Sequence, residues 1–497
     1  MGDTGKKVRN VAIIGGGLSG LACAYHFKQR RVGFKLFEPV HHMGGNMRTW
    51  RGLEFDGVKR WVDLGVNDFS KTGYVNLVRV MKRLGVKYKP LEDSSSYSTI
   101  QAGVAPDKVK TGYTVDNAWE IPPSKAIQEG IIKFREFCEK HIKQLLDDPS
   151  PTYKYMTVGQ FLDWAKLNEE FVCDNFFPRI LGMYFTGGVP PRDLPIRMII
   201  HYYYLQEGLG RKPAPNPERQ YWVDGCRSFV KALCDYADPG KKKGVLLNDA
   251  DPTFTTRADG HIDVTCNGTT ETFDALVMAR QAWQVMDHFA TPSQAPAGLA
   301  DTLGRFTFSS DQTVVHTATS VLPPDVNAWG TYNLNIPPTY DQENLGYTMT
   351  YWCNRHQNDP KNPKYNWRNR KFRATNFSPD YFNTINPKNP IPDAAILAPK
   401  PDSMAAGCGM FQFNHNVMNM DAFKAQEAMD AFQGKANIWY VGGYTIGAGL
   451  QEECWNGAIE AAKKVLDHRH VDASRYRLLK DGRWAMPEYM QHLMFGP

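Results

Sequence analysis

Three glycines and one acid near the start of the chain have the types and spacing to do chemistry. Gly15, Gly17 and Gly20 stand in the order G-x-G-x-x-G. Glu38 follows Gly20 at close to the interval of roughly 20 residues at which a carboxylate accepts hydrogen bonds from a ribose. A first glycine permits a tight turn. A second lets a pyrophosphate approach the backbone, and a third lets a helix pack closely on a strand. Together these residues are suited to hold an adenine dinucleotide.

The flanking elements must place them. Val11-Ala12-Ile13-Ile14 is a short apolar run, as a strand buried on both faces requires. A helix is expected to start at Leu18 or Ser19 and run through LACAYHFKQR, its first amides and dipole facing the phosphates. Phe34-Lys35-Leu36-Phe37 supplies a second strand that ends at Glu38. A glycine-rich turn with no ligand is the plain alternative, and the strand, helix and acid around it argue for the dinucleotide. Lys6, Lys7 and Arg9 ahead of an apolar stretch, with Ala22-Cys23-Ala24 beyond, imitate a secretory leader. Glycines inside the apolar stretch argue against one.

The fingerprint alone does not choose between NAD and FAD. Gly44-Gly45-Asn46-Met47-Arg48-Thr49 follows, and here the chain resembles the FAD-dependent amine oxidase and phytoene desaturase superfamily. Its members carry a G-G-x-x-R-[ST] motif at this place. Val62-Asp63-Leu64-Gly65-Val66-Asn67, Trp222-Val223-Asp224-Gly225-Cys226, Asp274–Ala279 and Ile438–Gly443 follow in the superfamily's order, so the resemblance spans residues 8 to 468. The chain is similar to bacterial NAD/FAD-binding amine oxidase-like proteins, and its closing loop is similar to that of FAD-dependent polyenoic fatty acid isomerases. The resemblance implies FAD as cofactor. It implies that Gly15, Gly17, Leu18, Ser19, Gly20, Glu38, Gly44, Gly45, Arg48, Gly65, Val66, Asn67, Gly443, Tyr444, Gly449, Leu450 and Gln451 hold it. Arg48 would fork onto the pyrophosphate. The C-terminal helix would turn its N-terminus to the flavin.

The fold expected is α/β: a Rossmann-like FAD-binding domain with an interleaved substrate domain built on an antiparallel sheet, and a helical cap. FAD-domain segments are expected at 1–100, 216–290 and 431–470, with a helical cap or substrate-binding insertion at 101–215, the sheet domain at 291–430 and a C-terminal tail at 471–497. Within the insertion, 126–148 repeats apolar residues at helical spacing, Thr157 is a plausible N-cap, and ILGMYF and RMIIHYYYLQEGLG read as helices. FTFSSDQTVVHTATS, NAWGTYNLNI and GYTMTYWCN read as strands, and 355–400 as a surface excursion rich in Asn and Pro.

The 497 residues are 42% hydrophobic and 22% charged, an ordinary globular balance. A net charge of +6 from scattered basic residues gives little support to a nucleic-acid partner. No apolar run approaches the ~18 residues of a membrane span. Nine cysteines without a C-x-x-C pair fit reduced thiols in the cytoplasm, and no cluster has metal-ligand spacing. A monomer or homodimer is expected.

Tyr184-Phe185, Tyr202-Tyr203-Tyr204, Tyr347, Tyr351-Trp352 and Phe411 fall in the cap and sheet. Most would be core, and some would line a pocket for a small apolar or aromatic substrate. The cage of aromatic residues that amine oxidases place around an amine has Cys454 where one wall would stand, which puts amine oxidation in doubt. Tyr444 could substitute in part. Tyr444, Gln451 and Glu452 are the candidate catalytic residues, with Trp455 beside them as a further candidate for the flavin edge. The expected activity is that of an oxidoreductase, an oxidase or dehydrogenase/desaturase, moving hydride from substrate to flavin. The alternatives are a double-bond isomerase of unsaturated fatty acids, an amine oxidase, and a flavin-stabilised protein with no catalysis.

Overall fold

A computed structural model gives the architecture. It describes residues 8–55, 58–91, 94–99, 109–111, 124–184, 188–209, 219–323, 329–336, 347–357, 380–387, 390–398, 411–467, 477–478 and 484–485. Phe185, the linker KPAPNPERQ up to Glu218 and nearly all of the tail lie outside them.

The N-terminal apolar run forms the middle strand, Asn10–Ile14, of a five-stranded parallel sheet. The strand order is Leu246–Leu247, Gly33–Phe37, Asn10–Ile14, Ala275–Met278, Ile438–Tyr440. Alternation along the middle strand feeds two separate cores. Val11 and Ile13 face the helices Leu18–Gln29, Arg227–Ala237 and Gln451–Asp467. Ala12 and Ile14 face a three-stranded meander (Thr253–Phe273) and the helices Leu299–Gly304 and Met420–Met429. Both faces are therefore dry, which is why the strand reads as an unbroken apolar run. The sequence reading did not anticipate the meander.

An eight-stranded mixed sheet forms the second layer. Its order runs Ile396–Ala398, Phe308–His316, Phe382–Ile385, Thr348–Trp352, Tyr332–Ile336, Ser95–Thr99, Val109–Thr111, with Phe411–Asn416 also paired to Phe308–His316. The three expected strands are present. Two differences stand out. Phe382–Ile385, inside the expected surface excursion, is a fully buried inner strand. Ser95–Thr99 joins the sheet in parallel with Tyr332–Ile336, so the first part of the chain also builds the substrate layer.

Helices from Lys125 to Gln206 make the cap around Phe134, Phe161, Phe176 and Tyr203. The periodic stretch expected at 126–148 breaks at His141 into Lys125–Lys140 and Ile142–Leu146. Thr157 caps Val158–Ala165, its Oγ1 accepting from Gln160 N at 3.2 Å while Gln160 Oε1 accepts from Thr157 N at 2.9 Å. This reciprocal pair satisfies two amides that the helix itself leaves open. Glu169–Phe171 runs through a π-helical turn, Val172–Phe176, into Phe177–Tyr184. Ile196–Gln206 is buried along its whole length.

One buried acid ties the layers near the dinucleotide turn. Asp63 accepts from Thr49 Oγ1 at 2.5 Å and, through both oxygens, from Cys226 N at 2.9 Å. It thereby joins the hairpin Thr49–Asp63 to the start of Arg227–Ala237. Burial pushes its carboxyl up to about 7, against the Thr49 and Cys226 bonds that pull it down. Asp63→Ala leaves two buried donors without an acceptor, each worth about 1–3 kcal/mol. A urea melt should show a loss of about 3 kcal/mol, and a loss below about 1 kcal/mol would contradict this tie.

Candidate functional site

The residues of the first turn act as their spacing requires. Gly15 has φ +108°, and a Cβ there would lie 2.3 Å from Ala279 O. A Cβ on Gly20 would lie 1.9 Å from Gly15 O, so only glycine lets the helix cross the turn this closely. Gly17 is different: its φ of −67° is ordinary, and a Cβ would find no protein atom within 4 Å. The space beside Gly17 belongs to a cavity. The helix behind it has no side-chain cap and no acid in its first turn, which leaves its amides for an anion.

That cavity, of about 540 Å³, runs from this turn to the junction of the cap and the large sheet. Of the residues implied to hold the cofactor, Gly15, Gly17, Leu18, Ser19, Glu38, Gly44, Gly45, Arg48, Gly65, Val66, Asn67, Gly443, Gly449, Leu450 and Gln451 line it. Gly20 does not, because it serves the helix–strand contact. Tyr444 does not either. It is fully buried against Phe306, with ring centroids 5.1 Å apart, in the core beneath the sheet.

Glu38 is set at the rim of the turn. Its Oε2 accepts from Gly16 N at 2.6 Å and its Oε1 from Val40 N at 3.1 Å, with Arg280 Nη1 at 3.4 Å. Arg48 donates from Nε to Gly45 O at 3.2 Å and lies over the Phe413 ring. The buried polar atoms in the lining that lack a protein partner include Arg280 Nε, a donor near Glu38, and Gln451 Oε1, an acceptor. The orientation of Gln451 is fixed, because its Nε2 donates to Asp68 O at 3.0 Å and a carbonyl can only accept. The open cradle at Gly17, the cation at Arg48, the acid at Glu38 and the two unpartnered atoms together fit an adenine dinucleotide such as FAD.

Among the candidate catalytic residues, only Gln451 lines the cavity. Glu452 is fully buried and faces the other way, accepting from Asn76 N and Leu77 N at 2.9 Å each. It caps the helix Val75–Arg83, and the low dielectric around it lifts its carboxyl to about 7. Glu453 caps its own helix's entry loop, at Ala448 N and Leu450 N, 3.0 Å each. Trp455 packs on Tyr25 and Phe229 in the core. Cys454 does line the cavity, with its thiol bonded to Gly449 O at 3.3 Å and pushed by burial up to about 12.

The far end of the cavity is aromatic, as expected, and it also carries charged groups. Tyr202 and Tyr351 line it; Tyr203, Tyr204, Tyr347, Trp352 and Phe411 do not. Beside them stand Arg179, Arg219, Asp68, Tyr97 and Tyr332, none of which the sequence reading picked out. Asp68 directly follows the Gly65–Asn67 loop. Burial would raise its carboxyl, yet Arg219, His356 and Tyr332 hold it at about 2. Arg280 was missed as well, although it directly follows the Asp274–Ala279 strand.

The fold and cavity define the class: a Rossmann-like dinucleotide domain interleaved with a large sheet and a helical cap. Residues 13–84 match the family described as NAD(P)-binding Rossmann-like domain. No curated protein matches the chain in sequence. Several solved structures share the whole architecture. A CLA-producing fatty acid isomerase from P. acnes is 15% identical, with a TM-score of 0.60 over 92% of this chain and 98% of that one. A putrescine oxidase variant redesigned for cofactor binding is 11% identical, with a TM-score of 0.60 over 93% and 99%. Cyclohexylamine oxidase from Brevibacterium oxydans IH-35A is 13% identical, with a TM-score of 0.57 over 93% and 99%. The chain thus has the fold of the FAD-dependent amine oxidase-like proteins. Among the described residues, no helix is long and apolar enough to cross a membrane.

Two outcomes follow from this geometry. Gly17→Ala should leave the melting temperature of flavin-free protein unchanged while weakening FAD binding at least about tenfold in a fluorescence titration, because the added methyl meets only the ligand. Unchanged affinity would place the pyrophosphate elsewhere. Second, Asp68 and Glu207 both lie below their ordinary values. Burial opposes this in Glu207, and Arg179 and Arg219 outweigh it. Their stabilisation is therefore present above about pH 4.5 and lost as the pH falls toward 2. Denaturant melts from pH 5 to pH 2 should show that decline, and Glu207→Gln should make it shallower.

Proposed function

We propose that this protein is an FAD-dependent oxidoreductase that takes a hydride from an organic substrate held at the far end of the cavity. The observation that carries the reading is the continuity of that cavity, from the phosphate cradle at Gly17 past Gln451 to the tyrosines beneath the cap. When bound, FAD supplies the hydride acceptor, its ring N5. The chain's own residues do the rest. Arg48 and the amides after Gly17 hold the pyrophosphate, and Glu38 holds a ribose. Gln451 would offer the bound group a fixed acceptor. Tyr202, Tyr351 and the cap helices exclude water around the reacting carbon. The names of the fold neighbours, two amine oxidases and a fatty acid isomerase, support flavin chemistry in general and leave the substrate open.

Simple amines fit less well. Cys454, in the lining, stands where the superfamily places one aromatic wall of its amine cage. A redox-neutral isomerase, in which hydride is taken and returned to an unsaturated fatty acid, is the second reading. It is supported by the similarity of the closing loop and by the P. acnes neighbour.

Purified protein should be yellow with a flavin spectrum. Mixed anaerobically with amines, unsaturated fatty acids and phenolic or terpenoid alcohols, it should bleach with one class. An unbleached flavin together with an altered fatty acid would instead select the isomerase. A colourless protein that FAD does not reconstitute would sink the proposal.

A further inference from the structure

One cation at the dinucleotide end has donors to spare. Arg280 stands two residues beyond the strand Ala275–Met278 and lines the cavity, its side chain 14% exposed. The side chain passes over the first turn: a Cβ on Gly15 would lie 3.2 Å from Arg280 Cδ. Among the described residues, its guanidinium makes a single hydrogen bond, from Nη1 to Glu38 Oε1 at 3.4 Å. Nε is buried without a partner, and Nη2 has none among the described residues either. Asp251 and Asp287 attract the group from a distance, and neither lines the cavity.

Holding Glu38 in place does not account for this arginine. Glu38 already accepts from Gly16 N at 2.6 Å and from Val40 N at 3.1 Å, so main chain fixes the carboxylate. The contact with Arg280, at 3.4 Å, is beyond the usual length of an N–H···O bond. Burial opposes the charge on Arg280 and Glu38 favours it. A guanidinium kept in a cavity wall against that opposition, with donors open, suits an anion. The charges at this end point the same way. An adenine dinucleotide brings two phosphate charges, and Glu38 adds a third. Arg48 faces them, its side chain's one hydrogen bond among the described residues running from Nε to Gly45 O. The start of the helix Leu18–Gln29 adds roughly half a charge. His415, in the same wall, is balanced by Asp311 at 2.7 Å. Without Arg280, about one and a half positive charges would meet three negative ones, and with it about two and a half.

We infer that Arg280 is a second phosphate-binding residue of the dinucleotide site. It takes the pyrophosphate from the adenosine side, beside Glu38, while Arg48 takes it from the side of Gly45. The ligand class is an ester of adenosine diphosphate, a group that FAD and NAD share. The inference rests on the dinucleotide reading of the first turn and is independent of any flavin chemistry.

The test is calorimetric titration of the full-length, nucleotide-free protein with ADP-ribose, and with adenosine by displacement of ADP-ribose. Arg280→Gln should weaken ADP-ribose binding at least about tenfold and adenosine binding by less than about twofold. Arg280→Lys, which keeps the charge without the fork, should recover part of the loss. Arg280→Met, which keeps the apolar stem, should repeat the loss and serves if Arg280→Gln does not fold. FAD and NAD are titrated alongside, and whichever the unmodified protein holds should lose the same factor as ADP-ribose. Unchanged ADP-ribose affinity in Arg280→Gln or Arg280→Met would overturn the inference. So would an equal loss of adenosine, the mark of a residue that serves only Glu38. An unmodified protein that does not bind ADP-ribose would overturn the dinucleotide reading along with it, whereas tight binding indifferent to Arg280 would overturn this inference alone.

Discussion

The backbone contact between Gly15, Gly20 and Ala279 is the constraint on which the rest of the site depends. Gly20 brings the helix Leu18–Gln29 down onto the turn, and Gly15 bends the turn onto the end of Ala275–Met278. With the helix seated at that height, its open amides face the cavity. Were the helix lifted by the width of a methyl group, its amides would shift and Ser19 would lose Cys454 O, now 3.4 Å away. Arg48, Glu38 and Gln451 line the same cavity, and this contact sets where the helix amides meet it.

The polar groups around the cavity divide into those that hold protein together and those that meet a ligand. Asp63, Glu452 and Glu453 are all buried acids within a few residues of the cofactor motifs. Each has its oxygens turned to backbone amides of neighbouring elements. They replace water at helix starts and loops that the cavity would otherwise leave unsatisfied. Gln451 and Arg280 keep an atom unpaired in the lining instead. Proximity to a motif does not separate the two groups, whereas the direction of each side chain does.

Most of the dinucleotide end was legible in the sequence because its function is carried by backbone. Glycine spacing, an apolar strand and a single acid reveal where the main chain must turn, and those signals are local. Direction was not legible. Gln451, Glu452 and Glu453 are adjacent on one helix, and a rotation of about 100° per residue decides which of them faces the cavity. The substrate end was legible least of all. Arg179, Arg219, Asp68 and Tyr332 come from four separate elements, and nothing in the local sequence of any one of them marks it as a partner of the others. Phe382–Ile385 was hidden for a related reason: its Asn and Thr side chains look exposed, yet they are buried and bonded, Thr384 to Thr350 and His316 in the large sheet and Asn383 to the carbonyls of Asp63 and Leu64.

The strand order of the parallel sheet also governs how the molecule comes into being. The central strand is laid down first, but the edge strand Ile438–Tyr440 and the glycine loop beyond it arrive only after almost all of the chain has been synthesised. Until then one wall of the cavity is missing, and Leu276–Met278 have a bare sheet edge where Ile438–Tyr440 will pair. Folding of this domain is therefore dominated by contacts between segments far apart in the sequence, a topology that closes slowly. The cavity is therefore complete only once that last pairing has formed.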